Sequence, residues 1–549
     1  MKILMLDIET NMQHDTIWCC VTQDIQTKSI TTHTSPSSLV DLMKGYDAVA
    51  GHNIIGFDKP VLEKVWKVCF DRVDVVDTLI MSRLYNPSMD GGHSLANWGV
   101  LFGFPKIDFS DYDGGLTQQM IDYCIRDVEL TTKVHEWLVI NMEKEGFSEQ
   151  SVELEHQVAR VTTQQERAGY KLDVGAANNL YAQLCFKMND IDQQLRQVFP
   201  PIVEQRISEK TGKQLKDKVT VFNPGSRQQI VQRLRSLGVA FTQQTEKGSV
   251  VVNEEVLQGV TLPEAVLIKD YLMLQKRTTQ IDSWLKVVRD TGRVHGRVIS
   301  NGAVTGRMTH SAPNMAQIPS SSSEYGKECR AVWVVDDGNK LVGIDASGLE
   351  LRMLAHYMDD AAYTAEILSG DIHTANMKAA GLTDRSQAKT FIYAFLYGAG
   401  ATKLGSVVGG GSREGQVLID SFLTNTPALK KLRSSGEKEA ASGVLTGLDG
   451  RKLRVRSAHS ALNTLLQGAG AIVMKQALVL LSQRIELARI PARIVANVHD
   501  EWQIEVEEWF AESVGTLGVA AIVQAGRDFN MKCPLAGEFK IGNNWAETH

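Results

Sequence analysis

Cysteine is scarce in this chain, with seven residues in 549, none in a CxxC pair and none beside a histidine at metal-ligand spacing. That argues against zinc ribbons and disulfide frameworks and fits reduced thiols in a cytosol. Long apolar runs are missing as well. No uncharged stretch approaches the about 18 residues that a membrane span requires, and the opening MKILMLDIET turns acidic too soon for a signal peptide. No GxxxxGK followed by Ser or Thr occurs, so a Walker-type phosphate loop is not expected. Internal repeats and long low-complexity tracts are also lacking. The net charge of −6 gives no overall basic surplus, which neither suggests nor opposes a nucleic-acid partner. What remains is ordinary globular composition, in a chain too long for one core; three or four domains are expected.

Charge is uneven along the chain. Between Arg385 and Arg456 there are twelve Lys/Arg against five Asp/Glu, a basic stretch inside an acidic protein. Such a run is either a solvated face or a surface for phosphates. Residues 1–145 alternate strand-like and helix-like patterns, with turn signals at Asn53, Gly56, Pro87 and Gly91–Gly92, and read as an α/β domain. From Ser151 to about Trp284 the apolar spacing is helical. A polar, basic insert, EQRISEKTGKQLKDKV (204–219), interrupts it as an exposed loop or hairpin. Strands return from about Arg293, with helical blocks among them.

In MKILMLDIETN a short strand delivers Asp7 and Glu9, whose side chains share one face because strand residues alternate. Two like charges on one face repel unless cations neutralise them. Asp58 follows in GHNIIGFDKP, and Tyr123 and Asp127, four apart on a helical pattern, follow in DYCIRDVELTTKV. Each has an ordinary alternative: a strand end for Asp7 and Glu9, a helix N-cap for Asp58, an exposed helix acid for Asp127. In this order, DxE, HN(x4)D and YxxxD, the residues resemble the 3′→5′ proofreading exonucleases of the DEDD type, tyrosine variant, with an RNase H-like fold. The resemblance implies that Asp7, Glu9, Asp58 and Asp127 bind two divalent metals and that Tyr123 orients the attacking water.

Two further aspartates each end a short apolar run, Asp345 in GIDASGLELR (343–352) and Asp500 in NVHDE (497–501). Between them, DRSQAKTFIYAFLYGAG carries Arg385, Lys389, Tyr393 and Tyr397 at four-residue intervals, a single stripe on a helix. Two carboxylates to clamp a metal pair and cations to hold a triphosphate are what phosphoryl transfer between nucleotides requires. The three stretches resemble motifs A, B and C of the family A DNA polymerases, and the likeness is nearest to the replicative enzymes of short-tailed phages.

That resemblance implies an α/β multidomain protein with an N-terminal exonuclease and a right-hand polymerase. The expected divisions are exonuclease 1–145, thumb and connecting helices 146–292, palm 293–370, fingers 371–440 and palm again 441–549. Asp345, Asp500 and the carbonyl of Ala346 would hold two Mg²⁺ or Mn²⁺, with Glu501 as a supporting acid. Arg385, Lys389 and His373 would contact the triphosphate, Lys389 also as a proton donor. Tyr393 would close over the sugar, and Glu350 would exclude a 2′-hydroxyl. Tyr397 and Gly398 would line the template-base position. Arg307 and Gln467 would read the minor groove and His499 the primer terminus. Arg451 and Arg454 would meet backbone phosphates. Implied partners are primer–template DNA, dNTPs, and a phage helicase–primase and single-strand-binding protein. The protein would work as a monomer in the host cytoplasm. The short stretch at 200–220 stands where relatives carry a long thumb insertion, so a thioredoxin-type processivity factor is not expected. A nuclease that merely grips DNA, a non-catalytic replication scaffold and a single-subunit RNA polymerase are the competing readings. Glu350 and the exonuclease pattern oppose the last.

Overall fold

The computed structural model describes every residue of the chain except 208, 209, 211, 242, 246 and 247. At the N-terminus, β1 (Ile3–Thr10), β2 (Ile17–Asp24), β3 (Ile30–His33), β4 (Ala48–Gly51) and β5 (Asp74–Asp77) form one sheet in the order β3-β2-β1-β4-β5. β1 runs antiparallel to β2 and parallel to β4. The alternation of β1 decides what it presents to each side. Leu4, Leu6 and Ile8 enter one apolar core, whereas Ile3 and Met5 pack with Cys124 and Val128 of the helix Gln118–Glu145. Asp7 and Glu9 continue the second set, so the strand directs both carboxylates to the helix that carries Tyr123 and Asp127.

The next helix, Glu149–Ala168, is capped by Ser148, whose hydroxyl accepts from the Ser151 N–H. It packs against the palm helix Ala461–Leu487, and its His156 ring accepts from the Asp77 N–H at 2.8 Å. Residues 149–168 thus connect the N-terminal domain to the C-terminal sheet and its helices. Strand Tyr170–Leu172 likewise lies in a small sheet between Trp333–Val334 and Arg293–Val294, at the base of the palm.

The helices Val174–Val198 and Pro263–Val287 pair where the thumb is expected, with an outer core of Leu195, Phe199, Phe222, Ile230 and Leu272. The basic insert is an antiparallel hairpin of Ile202–Ile207 with Gln214–Thr220; its residues 208, 209 and 211 lie outside the described set.

Four antiparallel strands build a sheet where the palm is expected, in the order Arg493–Val498, Glu501–Glu507, Asn339–Ala346, Gly537–Gly542. The helix Ala511–Asp528 covers this sheet, Glu149–Ala168 packs on its strand Arg493–Val498, and Ala461–Leu487 packs on both helices. Segment Ala458–Leu487 is long and apolar enough to cross a membrane by length and composition, but 72% of its most apolar window is buried inside the fold. It is a core helix whose apolar surface is used internally. Helices Ile372–Ala380, Arg385–Leu396, Ala401–Ser406, Ser412–Asn425 and Pro427–Glu439 make an all-helical subdomain beside the palm.

Two candidate active sites

Asp345 closes the palm strand Asn339–Ala346, and Asp500 occupies the turn before Glu501–Glu507, where His499 takes φ +58°. The Ala346 N–H donates to the Asp500 carbonyl at 3.1 Å, which fixes the two acids at neighbouring strand ends. Burial, then the charge of Asp500, pushes the Asp345 carboxyl up to about 7; burial, then Glu350, pushes Asp500 up to about 6. Two such carboxylates held together favour a proton or a cation between them. The oxygen-only donor set suits Mg²⁺ or Mn²⁺.

Glu350 stands on the first turn of the helix Leu349–Met358, entered through Gly348 at φ +60°. Its carboxylate accepts from the Tyr397 hydroxyl at 2.9 Å and pairs with Arg307 at 3.5 Å. It therefore joins the palm, the finger helix and the segment 305–319 across one cleft. Arg307, Glu350, Gly470, His499 and Asp500 line that cleft.

The finger helix Arg385–Leu396 is amphipathic. Ala388, Phe391, Ile392, Phe395 and Leu396 are buried, while Arg385 and Lys389 are exposed and Tyr393 is half-buried. Glu350 and Asp500 are near enough to raise the Tyr393 phenol, after burial. Arg385 donates to Asp371 at 2.7 and 3.0 Å, and the same carboxylate caps the helix that begins at Ile372 and holds His373. The His373 ring lies 6.2 Å from that of Tyr393. Lys389 makes no ion pair among the described residues. Gly398 ends the stripe at φ +77°. Gln467 sits on the palm helix and donates to Asn463 at 2.7 Å.

Two expected roles, those of Arg451 and Arg454, do not fit their surroundings, and Glu501 is braced on every side. Glu501 lies directly across the ladder from Asp345, but both its oxygens are engaged. Oε1 accepts from Trp545 and Gln503, and Oε2 pairs with His549 at 2.8 Å and faces Arg330 at 3.6 Å. These contacts hold Glu501 beside the pair, where its charge helps to raise both Asp345 and Asp500. Arg451 is buried, bound to Asp449 and to Glu155 at 2.6 Å each, with Lys475 on the same Glu155 oxygen. No phosphate reaches a guanidinium enclosed in this way. Arg454 is half-buried and donates to the Tyr85 carbonyl at 3.3 Å and to Glu145 at 3.2 Å, so it ties the palm to the N-terminal domain.

Removing one partner of a buried ionic cluster leaves the others uncompensated, at a cost of about 3–5 kcal/mol. Arg451→Ala is therefore expected to lower the melting temperature by several degrees and reduce soluble yield. A melting temperature unchanged within a degree in differential scanning calorimetry would refute that.

In the N-terminal domain Asp7, Glu9, Asp58 and Asp127 converge. Asp58 opens a short helix and accepts from the Ile8 N–H at 3.2 Å, next to Asp7. The loop before it is held by Asp77, which accepts from Asn53 at 2.9 Å and Ile55 at 3.1 Å. Burial, then Asp58, Asp127 and Glu9, raises Asp7 well above the carboxylate range. Burial pushes Glu9 up to about 8, with Asp127 next, and Asp58 up to about 7. Oδ1 of Asp127 is buried with no hydrogen-bond partner. An orphaned carboxylate oxygen among three other acids is the environment a divalent cation satisfies. Tyr123 stacks against Phe109 with ring centroids 5.4 Å apart.

Two neighbours escape the sequence reading. Cys124 brings its sulfur to 3.6 Å from Asp7 Oδ2, and with Asp7 and Glu9 it forms a group whose ligand atoms lie within 4.8 Å. Lys106 pairs with Asp127 Oδ2 at 2.5 Å and lies 4.7 Å from the centroid of the Tyr123 ring. The only signal for Cys124 is its place beside Tyr123; Lys106 lies in a loop with no periodicity to mark it.

Residues 193–547 match the sequence model of DNA polymerase family A. The chain is 33% identical to the "DNA-directed DNA polymerase" of Escherichia phage T7, with 100% of both chains covered. It is 34% identical to the protein of the same description from Enterobacteria phage T3, over 91% of this chain and 92% of that one. It shares its fold with a solved structure described as "POL domain of Pol1 from M. smegmatis complex with DNA primer-template and dNTP", with a TM-score of 0.82 over 99% of this chain and 95% of that chain at 19% identity. The chain belongs to DNA polymerase family A. It is a DNA-directed DNA polymerase.

Proposed function

We propose that this polymerase copies a template by adding deoxynucleotides to a primer 3′ end in the palm cleft, and that its N-terminal domain removes mispaired 3′ ends. The observation that carries the synthetic site is the Asp345–Asp500 pair at adjoining strand ends, beside Tyr393 and the basic stripe of the finger helix. Asp345, Asp500 and the carbonyl of Ala346 would hold two divalent ions, which supply Lewis acidity for the primer hydroxyl and the departing phosphate. The 3′-oxygen adds to the α-phosphorus as the bond to the bridging oxygen breaks. The hydroxyl proton is released and pyrophosphate departs, taking a proton from Lys389. Arg385, released from Asp371, and His373 bind the triphosphate with Lys389. Tyr397 and Gly398 border the template base, and Arg307, Gln467 and His499 meet the primer–template minor groove, whose acceptors are nearly sequence-independent.

Glu350 excludes ribonucleotides because its tie to Tyr397 and Arg307 holds the carboxylate in place beside the sugar site. Glu350→Ala is expected to raise ribonucleotide incorporation at least roughly tenfold in single-nucleotide extension, since one well-placed steric contact is worth about 1–3 kcal/mol. An unchanged dNTP/rNTP ratio would remove that role.

At the second site Asp7, Glu9, Asp58 and Asp127 would hold two divalent ions that activate water and screen the scissile phosphate. Water adds to phosphorus as the P–O3′ bond breaks. One water proton is lost, and the 3′-oxygen takes one up. The products are a 5′-deoxynucleotide and a shortened strand. Tyr123 orients that water. The strand order β3-β2-β1-β4-β5 supports the RNase H-like reading of this domain. The likeness to the phage enzymes supports DNA synthesis in phage replication; work as a monomer in the host cytoplasm, with a helicase–primase and single-strand-binding protein, is part of the proposal. The short thumb hairpin gives no support to a thioredoxin-type clamp.

One labelled primer on a template tests both sites. With Mg²⁺ and dNTPs the primer lengthens, and with Mg²⁺ alone it shortens. Shortening in both lanes would leave only a nuclease, and lengthening without any shortening would remove the second activity.

A further inference from the structure

Four carboxylates and two divalent ions leave the N-terminal site formally neutral, so an entering phosphodiester finds no net positive charge to hold it. The site does contain one cation of its own. Lys106 Nζ pairs with Asp127 at 2.5 Å and sits 4.7 Å from the centre of the Tyr123 ring. Its charge also reaches Asp7 and Glu9, where it offsets part of the rise that burial and the neighbouring acids cause. Its position is built by the fold and is not a chance surface contact. Arg126, next to Asp127, donates to the Pro105 carbonyl at 2.9 Å and stacks its guanidinium over Phe104 at 4.1 Å. Phe109 lies on Tyr123, and Trp18 donates to the Tyr112 carbonyl at 2.8 Å. These contacts hold the loop on both sides of Lys106 against the helix and hairpin that carry the acids.

We infer that Lys106 is a phosphate-binding catalytic residue of the exonuclease site. Its ammonium is paired with Asp127. Once the acids hold metal, it turns to a non-bridging oxygen of the scissile phosphate. Hydrolysis adds negative charge to that phosphorus centre as water attacks, so a fixed ammonium there stabilises the transition state more than the ground state. The inference rests on the exonuclease reading and deepens it.

The test compares the full-length protein with Lys106→Met and Lys106→Arg. Single-turnover digestion of a primer with three mismatched 3′ nucleotides, in Mg²⁺, gives the rate. Anisotropy of a fluorescent (dT)₄, with Ca²⁺ replacing Mg²⁺ and under conditions where no digestion is seen, gives binding against salt. Lys106→Met is expected to slow digestion about 100-fold, with Lys106→Arg within about tenfold of the parent. The slope of log affinity against log salt should shrink by about 0.7 for the lost phosphate contact. Digestion by Lys106→Met at the parent rate overturns the inference. So does a slower rate with an unchanged salt slope, which would mean that Lys106 only neutralises the acids. If the parent itself fails to digest, the exonuclease reading falls and the role of Lys106 falls with it. Primer extension by each variant checks that the fold is intact.

Discussion

Asp345→Ala is expected to cut primer extension at least about a thousandfold, roughly 4 kcal/mol of transition-state stabilisation, while 3′ digestion by the same protein persists. The size follows from position. Asp345 closes its strand one residue before the amide that holds the Asp500 carbonyl, which fixes it beside Asp500. Two acids lie directly across the ladder: Glu501, which is spent on Trp545, Gln503 and His549, and Glu538 at the exposed edge of the strand Gly537–Gly542. The variant should fold, because removing a carboxylate that burial and Asp500 have pushed up to about 7 relieves repulsion. Retained extension would end the assignment of Asp345.

The same shifts give a pH dependence with a definite sign. Protons compete with metal for Asp345, at about 7, and for Asp500, at about 6, so the Mg²⁺ needed for half-maximal extension should rise as pH falls from 7.5 to 6. A requirement flat across that range would show that the two acids are already fully ionised in the metal-free protein.

Much of this was legible because strands and helices impose periods on chemistry. Alternation alone put Asp7 and Glu9 on one face, and β1 does send both towards the helix bearing Asp127. Four-residue spacing put Arg385, Lys389 and Tyr393 on one stripe, and the opposite residues of that helix are the buried ones. What escaped depends on residues far apart in sequence. Arg451 lies in a basic stretch that reads as a phosphate track, but its partner Glu155 is 296 residues away. Local charge density cannot reveal that a carboxylate from the helix Glu149–Ala168 penetrates the palm. Lys106 is 21 residues before Asp127 in an aperiodic loop, and only the folding of that loop over Tyr123 brings it in. A helical pattern shows that Glu149–Ala168 is a helix, but its buried face belongs to two domains at once.

The N-terminal acids should reveal themselves through stability before any nucleic acid is added. Glu9 is pushed up to about 8 and Asp58 to about 7, mainly by burial, so both stay protonated in the fold where the unfolded chain has already lost its protons. Between about pH 4 and 8 the fold binds more protons than the unfolded chain, and stability therefore falls as pH rises through that window. In the metal-free protein the melting temperature of this domain should decline from pH 5.5 to 8, and Mg²⁺ should restore it, because an ion that binds only the fold shifts the equilibrium towards it. Asp7→Asn with Glu9→Gln removes two of the like charges. That variant should lose 3′ digestion at least about a thousandfold, keep primer extension, and melt several degrees higher than the parent at pH 8 without metal. The gain should vanish at pH 5.5, where the parent's acids are already neutral. A variant that digests normally would remove the exonuclease. One that loses digestion but melts identically at both pH values would mean that these carboxylates are solvated and ionised throughout, and that their convergence in the fold carries no electrostatic strain for metal to relieve.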